Sequence, residues 1–546
     1  MPDHKSFLAP LRHKGYRQFW LGSITSNLGA LIQGVGAAWM MTSISSSDHM
    51  VALVQATTAM PIMLLSLVAG AVADNFERRR VILLAQIFML IASATLTFCA
   101  WFGLLSPWML LAFTFVIGCG TAVSYPSWQA SIGDVVPREE VSRAVSLNAV
   151  AVNLTRSIGP ALGGLLVAAS GAAGAFAATT MCYLALTIML LRWNIREKIS
   201  GLPREHMGRA IKAGLSYFIM SPNLMNVCFR GFCFGASAIA VLALLPIVAH
   251  RKLEGGPITF GMMLGAFGIG AVIAALLNAR LRARFANETI IALSFGGFAI
   301  SEAIIALSQT IALSVAAVVL AGAFWVIALS LFNTAIQLSS PRWVVGRSLS
   351  LYQTAIFSGM AGGSWLWGHL AESYSIGLAF WIAALLTLGG MLLGFLMPMP
   401  SLESHDLSPL QQFREPKLRL DISPNSGSIA INIDYEIADE DTEEFLQLMA
   451  WRRRVRIRDG ANDWMLMRDL EHPTQWTEFY RTATWADYIR HNQRRTKADG
   501  DQHERLLELH RGPKPVMARR FIERSAISAD DELLHQIIST DAEPPL

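Results

Sequence analysis

The sequence predicts an all-α membrane protein with twelve transmembrane helices in two pseudo-symmetric six-helix bundles, followed by a small cytosolic α+β domain. Of its 546 residues, 53% are hydrophobic and only 15% are charged, which is too apolar for an ordinary soluble protein. The apolar part also repeats itself at an offset of 204 residues, so that 137–147 aligns without a gap on 341–351. After Ser401 the sequence turns polar and rich in arginine and acidic residues, which marks the main domain boundary.

The individual helices follow from the apolar runs that precede Pro400. A bilayer core about 30 Å thick requires about 20 apolar residues at helical rise. The predicted spans are 18–43, 50–73, 81–103, 107–130, 148–169, 173–192, 223–248, 258–279, 288–308, 311–334, 349–371 and 375–397. Two copies of one membrane unit are typical of secondary transporters, in which two bundles rock about a central site.

These spans fix the domain boundaries. The predicted parts are an N-terminal bundle 1–192, a cytosolic inter-bundle loop 193–222, a C-terminal bundle 223–400, a linker 401–427, a cytosolic α+β domain 428–524 and a flexible tail 525–546.

Basic residues indicate the orientation, because Lys and Arg accumulate in cytoplasmic loops. With both termini inside, 20 basic residues fall on the inner side, and the outer loops hold only Arg251 and Lys252. The net charge of +4 comes largely from these inner loops, where it sets topology and meets anionic lipid, so it does not indicate nucleic acid binding.

The five cysteines lie within predicted spans at no metal-ligand spacing, so they are expected to pack in the core. In the polar tail His491, His503 and His510 are also not spaced as metal ligands. Neither a metal nor a cofactor is therefore expected.

A motif of small, acidic and basic residues joins the second and third predicted helices. Gly70 allows two helices to approach, Asp74 ends the second helix, and Arg78 and Arg79 open the third. The motif resembles the gating loop of the major facilitator superfamily, although two of its positions, one basic and one glycine, are replaced. The resemblance implies a latch in which Asp74 bonds a neighbouring helix in the outward-facing state. The alternative is that the arginines only set topology.

The fifth predicted helix contains a Gly-Pro-x-x-Gly-Gly motif formed by Gly159, Pro160, Gly163 and Gly164, directly after Arg156. Proline removes a backbone hydrogen bond and favours a kink, and the glycines let helices pack closely. The motif resembles that of the fifth helix of major facilitator exporters, which implies export. The alternative is a packing face without directional meaning.

Ionisable groups within membrane spans are costly and suggest either a function or a buried pair. Four residues qualify: Arg156, Arg230, Glu302 and, near the cytoplasmic end of the fourth span, Asp134. The two arginines can meet an anionic substrate or a carboxylate partner. Glu302 is the only carboxylate deep in a span, which makes it the candidate proton carrier. The alternative is a structural pair with a hydrogen-bond donor.

The membrane half as a whole resembles the enterobactin-exporter branch of the major facilitator superfamily, through the stretches 137–139 and 153–160 and the twelve-helix frame.

The tail alternates as strand 429–437, helix 442–453, strands 464–470 and 477–483, broken helix 485–510 and strand 516–522. This β-α-β-β-α-β order is the split βαβ, ferredoxin-like plan. The segments 458–464 and 485–491 resemble the tail of transmembrane secretion effectors, which is similar to antibiotic-biosynthesis monooxygenases. That resemblance implies pairing through sheets and leaves cofactor-free quinol oxidation open. Trp464, Trp476 and Trp485 are expected in its core.

The sequence therefore predicts a secondary active exporter of a small amphipathic molecule, a siderophore or drug-like compound, working by proton antiport in a bacterial inner membrane. Its expected partners are this substrate, protons, the lipid bilayer and a second copy through the tail. No catalytic residue is assigned. One alternative is a transporter fused to a quinol-oxidising or ligand-binding domain, and another is an importer or lipid flippase of the same fold.

Overall fold

The computed structural model describes residues 9–523 apart from 138–139, 193–206, 342, 400–409, 411–412, 414, 417, 421 and 495. Contacts divide the chain into two compact units, Met1–Ser404 and His405–Leu546, close to the predicted boundary. Residues 193–206 of the predicted inter-bundle loop, part of the linker and the predicted tail 525–546 lie outside the described residues.

The first unit is built from long helices. They are α1 Lys14–Ile44, α2 Asp48–Asn75, α3 Arg78–Trp101, α4 Pro107–Val135, α5 Val141–Arg192, α6 Met207–Ile219, α7 Pro222–Ile247, α8 Pro257–Arg284, α9 Asn287–Leu307, α10 Ile311–Leu338, α11 Val345–Ser373 and α12 Ile376–Leu396. Serine and threonine side chains cap several of their N-termini, as at Ser47, Ser106 and Ser375.

Within the described residues, nine helices are long and apolar enough to cross a membrane. One of them, Val150–Arg192, covers both the fifth and the sixth predicted spans. The chain changes direction inside it at Gly171, whose φ of 70° lies in the left-handed region that glycine adopts most easily. The helices α1 and α11 are long enough to span but are interrupted by polar residues, so they are not among the nine.

The two halves pack against each other through equivalent helices. The helix α5 crosses onto α8, and α11 crosses onto α2. At Gly164 an added Cβ would lie 2.7 Å from Cα of Gly261, and at Gly368, 204 residues later, it would lie 2.6 Å from Cβ of Ala52. Glycine is therefore required at both crossings, and the sequence repeat reappears as a repeated helix contact.

The hydrophobic core of this unit runs through both halves. In the second half it centres on Phe234, which contacts Phe295, Phe298 and Trp325 with ring centroids 5.0, 5.5 and 5.8 Å away. Such tilted aromatic pairs fix the packing of α7 against α9 and α10 more specifically than aliphatic contacts do.

The second unit contains a four-stranded antiparallel sheet in the order β2-β3-β1-β4. Its elements are β1 Ile429–Glu436, α13 Thr442–Arg458, β2 Asn462–Arg468, β3 Gln475–Thr482, α14 Trp485–Gln493, α15 Lys497–Glu508 and β4 Ala518–Ile522. Alternate residues of β1, among them Ile431 and Ile433, are buried in a separate core with Phe445 and Tyr480.

Candidate functional site

Polar contacts between the two halves close one end of the first unit. This end carries the connections 45–47, 248–256 and 374–375. Arg251 pairs with Asp48 at 2.8 Å and also donates to the carbonyl oxygen of Ser46. On the other side Glu372 accepts hydrogen bonds from the Ser47 hydroxyl and, at 2.8 Å, from the backbone N–H of His49. We call these contacts the end latch. They hold α2 against the C-terminal ends of α7 and α11.

A cleft of about 370 Å³ lies beside this latch, lined by residues at the end of α1, the start of α2 and the end of α7. The cleft is accessible from solvent, and both Asp48 and Arg251 line its wall. The ion pair thus borders solvent-accessible space, because Arg251 remains 47% exposed while Asp48 is 7% exposed.

The predicted gating loop lies at the opposite end of α2. Gly70 faces α11, since an added Cβ would lie 3.4 Å from Oγ of Ser350. Arg79 donates to the carbonyl oxygens of Leu190 and Leu191 at 3.3 and 3.0 Å, which satisfies the last turn of α5. The backbone of Asp74 lies in the last turn of α2, and its side chain is outside the described part of the structure.

Arg78 begins α3 and is half-buried, with an interaction of its own. The next arginine, Arg80, pairs with Glu77 on the same turn. The basic cluster therefore makes specific contacts as well as carrying positive charge.

The Gly-Pro-x-x-Gly-Gly motif packs on two neighbours at once. Added Cβ atoms at Gly159 and Gly163 would lie 2.9 Å from Leu31 and 3.0 Å from Val35, both on α1. Gly164 faces the opposite half, as described above, and Pro160 is buried between them. The motif therefore forms a close-packing face that joins α5 both to its own half and to the other.

Arg156 lies one turn before this motif. Its side chain is exposed in the structure. Tyr125 of α4 is close enough to interact with it electrostatically, and Gln129 donates to the Tyr125 hydroxyl at 2.7 Å. Among the described residues Arg156 forms no ion pair. The three side chains together supply a cation and neutral polar groups on facing parts of α4 and α5.

Arg230 is completely buried and has a carboxylate partner. It donates from both terminal nitrogens to Glu288 at 2.7 and 2.8 Å, and once to the carbonyl oxygen of Met397 at 3.1 Å. The same carboxylate accepts from the backbone N–H of Met399 at 2.9 Å. This bidentate pair ties α7 to the start of α9 and to the chain after α12, so Arg230 is occupied by a structural contact.

Glu302 is also completely buried. One carboxylate oxygen accepts a hydrogen bond of 2.9 Å from the Thr387 hydroxyl of α12. The other has no hydrogen-bond partner within the described residues. Because α9 packs on α10 and α12, Glu302 lies inside the second half.

Asp134 lies in the last turn of α4, and its side chain is outside the described part of the structure.

The second unit has a buried charged cluster centred on Glu478 of β3. Arg452 and Arg456 donate to its two oxygens at 2.7 and 3.0 Å, and Tyr435 and Trp464 each donate at 3.1 Å. Burial raises the pKa of the Glu478 carboxyl, but the two guanidinium charges and these hydrogen bonds bring it well below its ordinary value of 4.5. The carboxylate is therefore ionised and fully satisfied.

The tail histidines take part in separate contacts. His491 accepts from Arg456 at 2.9 Å, His503 contacts Arg452 at 3.1 Å, and His510 accepts from the backbone N–H of Glu436 at 3.0 Å. Within the described residues, no group of three or more His, Cys, Asp or Glu side chains is arranged to hold a metal ion.

The fold and these features define a membrane protein of two cross-packed helical halves, which is the plan of a secondary transporter. The chain belongs to the transmembrane secretion effector family of major facilitator transporters, which matches residues 5–527. This confirms the superfamily that the sequence motifs indicate.

Several proteins share part of this sequence. The staphyloferrin A transporter of Staphylococcus aureus is 24% identical over 263 residues, and this match covers 48% of the chain and 66%, just under two thirds, of that protein. The enterobactin exporter EntS of Escherichia coli O1:K1 is 27% identical over 366 residues, which cover 66% of the chain and 85% of that protein.

Solved structures show the same fold at low identity. The nucleoside transporter NupG gives a TM-score of 0.59 at 10% identity, over 70% of this chain and 100% of its own. A bacterial homolog of the human lysosomal transporter Spinster, in an inward-facing and unoccupied conformation, gives 0.54 at 14% identity, over 71% and 96%.

Sequence reasoning missed the partners of two charged residues. Glu288 was counted as part of an apolar span, and Asp48 falls just before one. For Asp48, the available indication was the pair Arg251 and Lys252 in the predicted outer loops. Lys and Arg are rare in outer loops, so a basic residue there suggests an acidic partner nearby.

Proposed function

We propose that this protein is a twelve-span exporter of a small amphipathic molecule that works by alternating access. The observation that carries the proposal is the repeated crossing of α5 on α8 and of α11 on α2, with glycines 204 residues apart at the contacts. The break at Gly171 divides α5 into two spans, and α1 and α11 supply two more, which brings the nine apolar helices to twelve.

The basic residues support an orientation with both termini in the cytoplasm of a bacterial cell and the protein in its inner membrane. In that orientation the end latch lies on the outer side. The structure then corresponds to the state in which the outer side is closed, and release of the substrate requires the latch to open.

A siderophore is our first substrate class, because the relatives include the enterobactin exporter and the staphyloferrin A transporter. Arg156, with Tyr125 and Gln129 beside it, supplies a cation and neutral polar groups that suit an acidic or phenolic molecule. Drug-like compounds remain a second class.

Protons are the proposed coupling ion, with Glu302 as the candidate carrier. An ionised carboxylate without a partner on one oxygen is costly in a fully buried site, so the neutral acid fits this state. Transport then requires that Glu302 reach water when the outer side opens. Asp134 remains the second candidate.

A cytoplasmic latch at Asp74 completes the cycle. The contacts of Ser66 with Thr354 and of Gly70 with Ser350 show that α2 and α11 run antiparallel. One turn beyond Gly70, the backbone of Asp74 therefore falls near the start of α11, where the helix dipole favours a negative charge.

For the tail we propose a ferredoxin-like fold, which is supported by the strand order β2-β3-β1-β4 and the order of elements along the chain. Pairing of two copies through this sheet is one proposed role, and a quinol-oxidising or ligand-binding activity is the other. An importer or lipid flippase of the same membrane fold is the second candidate for the membrane half.

The test compares cells with and without this protein during siderophore production. An exporter predicts that deletion raises the intracellular amount of iron-free siderophore and lowers the secreted amount, and that the gene supplied in trans restores both. Unchanged siderophore levels, together with an altered pool of another metabolite, would redirect the proposal to that compound. A deficit inside the cells would indicate import.

A further inference from the structure

The second unit contains a small cleft between α13, α14 and α15 that the transport mechanism does not use. Its enclosed part measures about 20 Å³, which is enough for one water-sized group. The buried residues Arg452 and Arg456 line it together with His491 and His503. Leu410, near the start of the second unit, lines the same cleft.

The charges around this cleft do not balance. Arg452 and Arg456 share one carboxylate, Glu478, so two positive charges face one negative charge. Asp459 also lines the cleft, but Arg458 pairs with it at 2.9 Å. Within the described residues that line the cleft, one of these positive charges therefore has no carboxylate of its own, and an unneutralised buried charge is costly.

The two guanidiniums are oriented by their contacts. Each gives its Nε–H to Glu478 and one terminal nitrogen to a histidine, Arg456 to His491 and Arg452 to His503. The second terminal nitrogen of Arg456 has no hydrogen-bond partner within the described residues, although the side chain is only 3% exposed. Buried donors are almost always bonded, so this nitrogen indicates a missing acceptor.

We propose that the cleft binds the carboxylate group of a small organic acid. One carboxylate oxygen fits the enclosed space, accepts from the free nitrogen of Arg456 and neutralises the excess charge. A single carboxylate oxygen suits a space of about 20 Å³ better than the bulkier tetrahedral phosphate does, and the second carboxylate oxygen can remain outside this space. All residues of this site belong to the second unit, whereas Arg156 belongs to the first.

Leu410 is the wall residue of the cleft that lies nearest the start of the second unit. Its Cδ1 lies 3.3 Å from the position that an added Cβ would take at Gly500 in α15, so it packs closely beside the cleft. A ligand that extends beyond its carboxylate has to displace Leu410. Occupancy of the cleft therefore changes the packing of Leu410.

Isothermal calorimetry of the full-length protein in detergent tests the proposal, with sodium acetate and sodium phosphate titrated at constant ionic strength. Arg456→Leu removes the free donor, and Leu410→Trp blocks the entrance without touching the charged cluster. Arg505→Leu, on an exposed arginine that pairs with Glu444, is the matched control. Arg156→Gln separates this site from binding to the membrane half.

Saturable acetate binding is expected in the parent, in Arg505→Leu and in Arg156→Gln, with at least tenfold weaker binding in Arg456→Leu and Leu410→Trp. Phosphate should bind at least tenfold more weakly than acetate. If Arg456→Leu fails to fold, Leu410→Trp decides alone. Absence of acetate binding in the parent, preference for phosphate, or loss only in Arg156→Gln would each overturn the proposal.

Discussion

In the proposed orientation, opening of the outer side should become easier when the end latch is removed. Arg251→Gln breaks the ion pair with Asp48, and because Arg251 is 47% exposed this costs about 1 kcal/mol rather than the larger value of a buried pair. Adding Glu372→Ala removes two hydrogen bonds made by an exposed carboxylate, which adds about 0.5 kcal/mol after solvent competition. The sum of about 1.5 kcal/mol corresponds to about a tenfold rise in the ratio of outer-open to outer-closed molecules.

Pulsed electron resonance distances measure this ratio. In a background without the native cysteines, spin labels are placed at Ser43 and Gln309, which are exposed positions in different halves at the latched end. The double variant should show a longer-distance population that is small or absent in the parent. Arg284→Gln, on an exposed arginine at the other end of α8, should leave the distribution unchanged.

Identical distance distributions in the parent and the double variant would refute the latch. A shift of the same size in Arg284→Gln would also refute it, because the effect would then come from loss of any surface charge.

Four further predictions concern single side chains. Arg230→Met should destabilise the membrane unit by about 1.5 kcal/mol, because Glu288 loses a bidentate partner but is 36% exposed and can be hydrated, and the double variant with Glu288→Met should recover part of this; thermal unfolding in detergent measures both. Asp74→Asn should keep folding intact and slow turnover in a transport assay, and a normal rate in a well-expressed variant would remove the cytoplasmic latch. Glu302→Gln should abolish uphill efflux and preserve downhill exchange, since an amide cannot release a proton; unchanged pH-driven efflux would indicate a structural pair. The pKa of Glu478 is held well below 4.5, so its ionised form stabilises the tail unit fully above that pH. This stabilisation should decline as pH falls from 4.5 toward the pKa of the folded state. The difference in unfolding free energy between the parent and Glu478→Gln should therefore become smaller in acid.

Local sequence patterns predicted the features that depend on residues close together in the sequence. The apolar runs placed the long helices, and the alternation of Ile429 to Ile433 placed β1, because burial of one face or one stripe leaves a period in the sequence. The glycines of the fifth-helix motif were also correctly assigned to close helix packing, since only a missing Cβ allows the approach seen at Gly164.

Partners across the fold could not be predicted in the same way. Arg230 meets Glu288 58 residues away, and Arg251 meets Asp48 203 residues away. Charged residues near helix ends influence membrane orientation whether or not they also form an ion pair. Their sequence context therefore does not show which of them are paired. The choice between substrate contact and structural pairing at Arg230 required the packing of α7 against α9.

Transport into inside-out membrane vesicles tests the central claim most directly. Vesicles containing the protein, with an acidic interior, are supplied with iron-free enterobactin or staphyloferrin A. Alternating-access export coupled to protons predicts accumulation above the external concentration, and the accumulation should collapse when an uncoupler is added. Uptake equal to that of protein-free vesicles for both compounds and for a panel of amphipathic drugs would contradict the account.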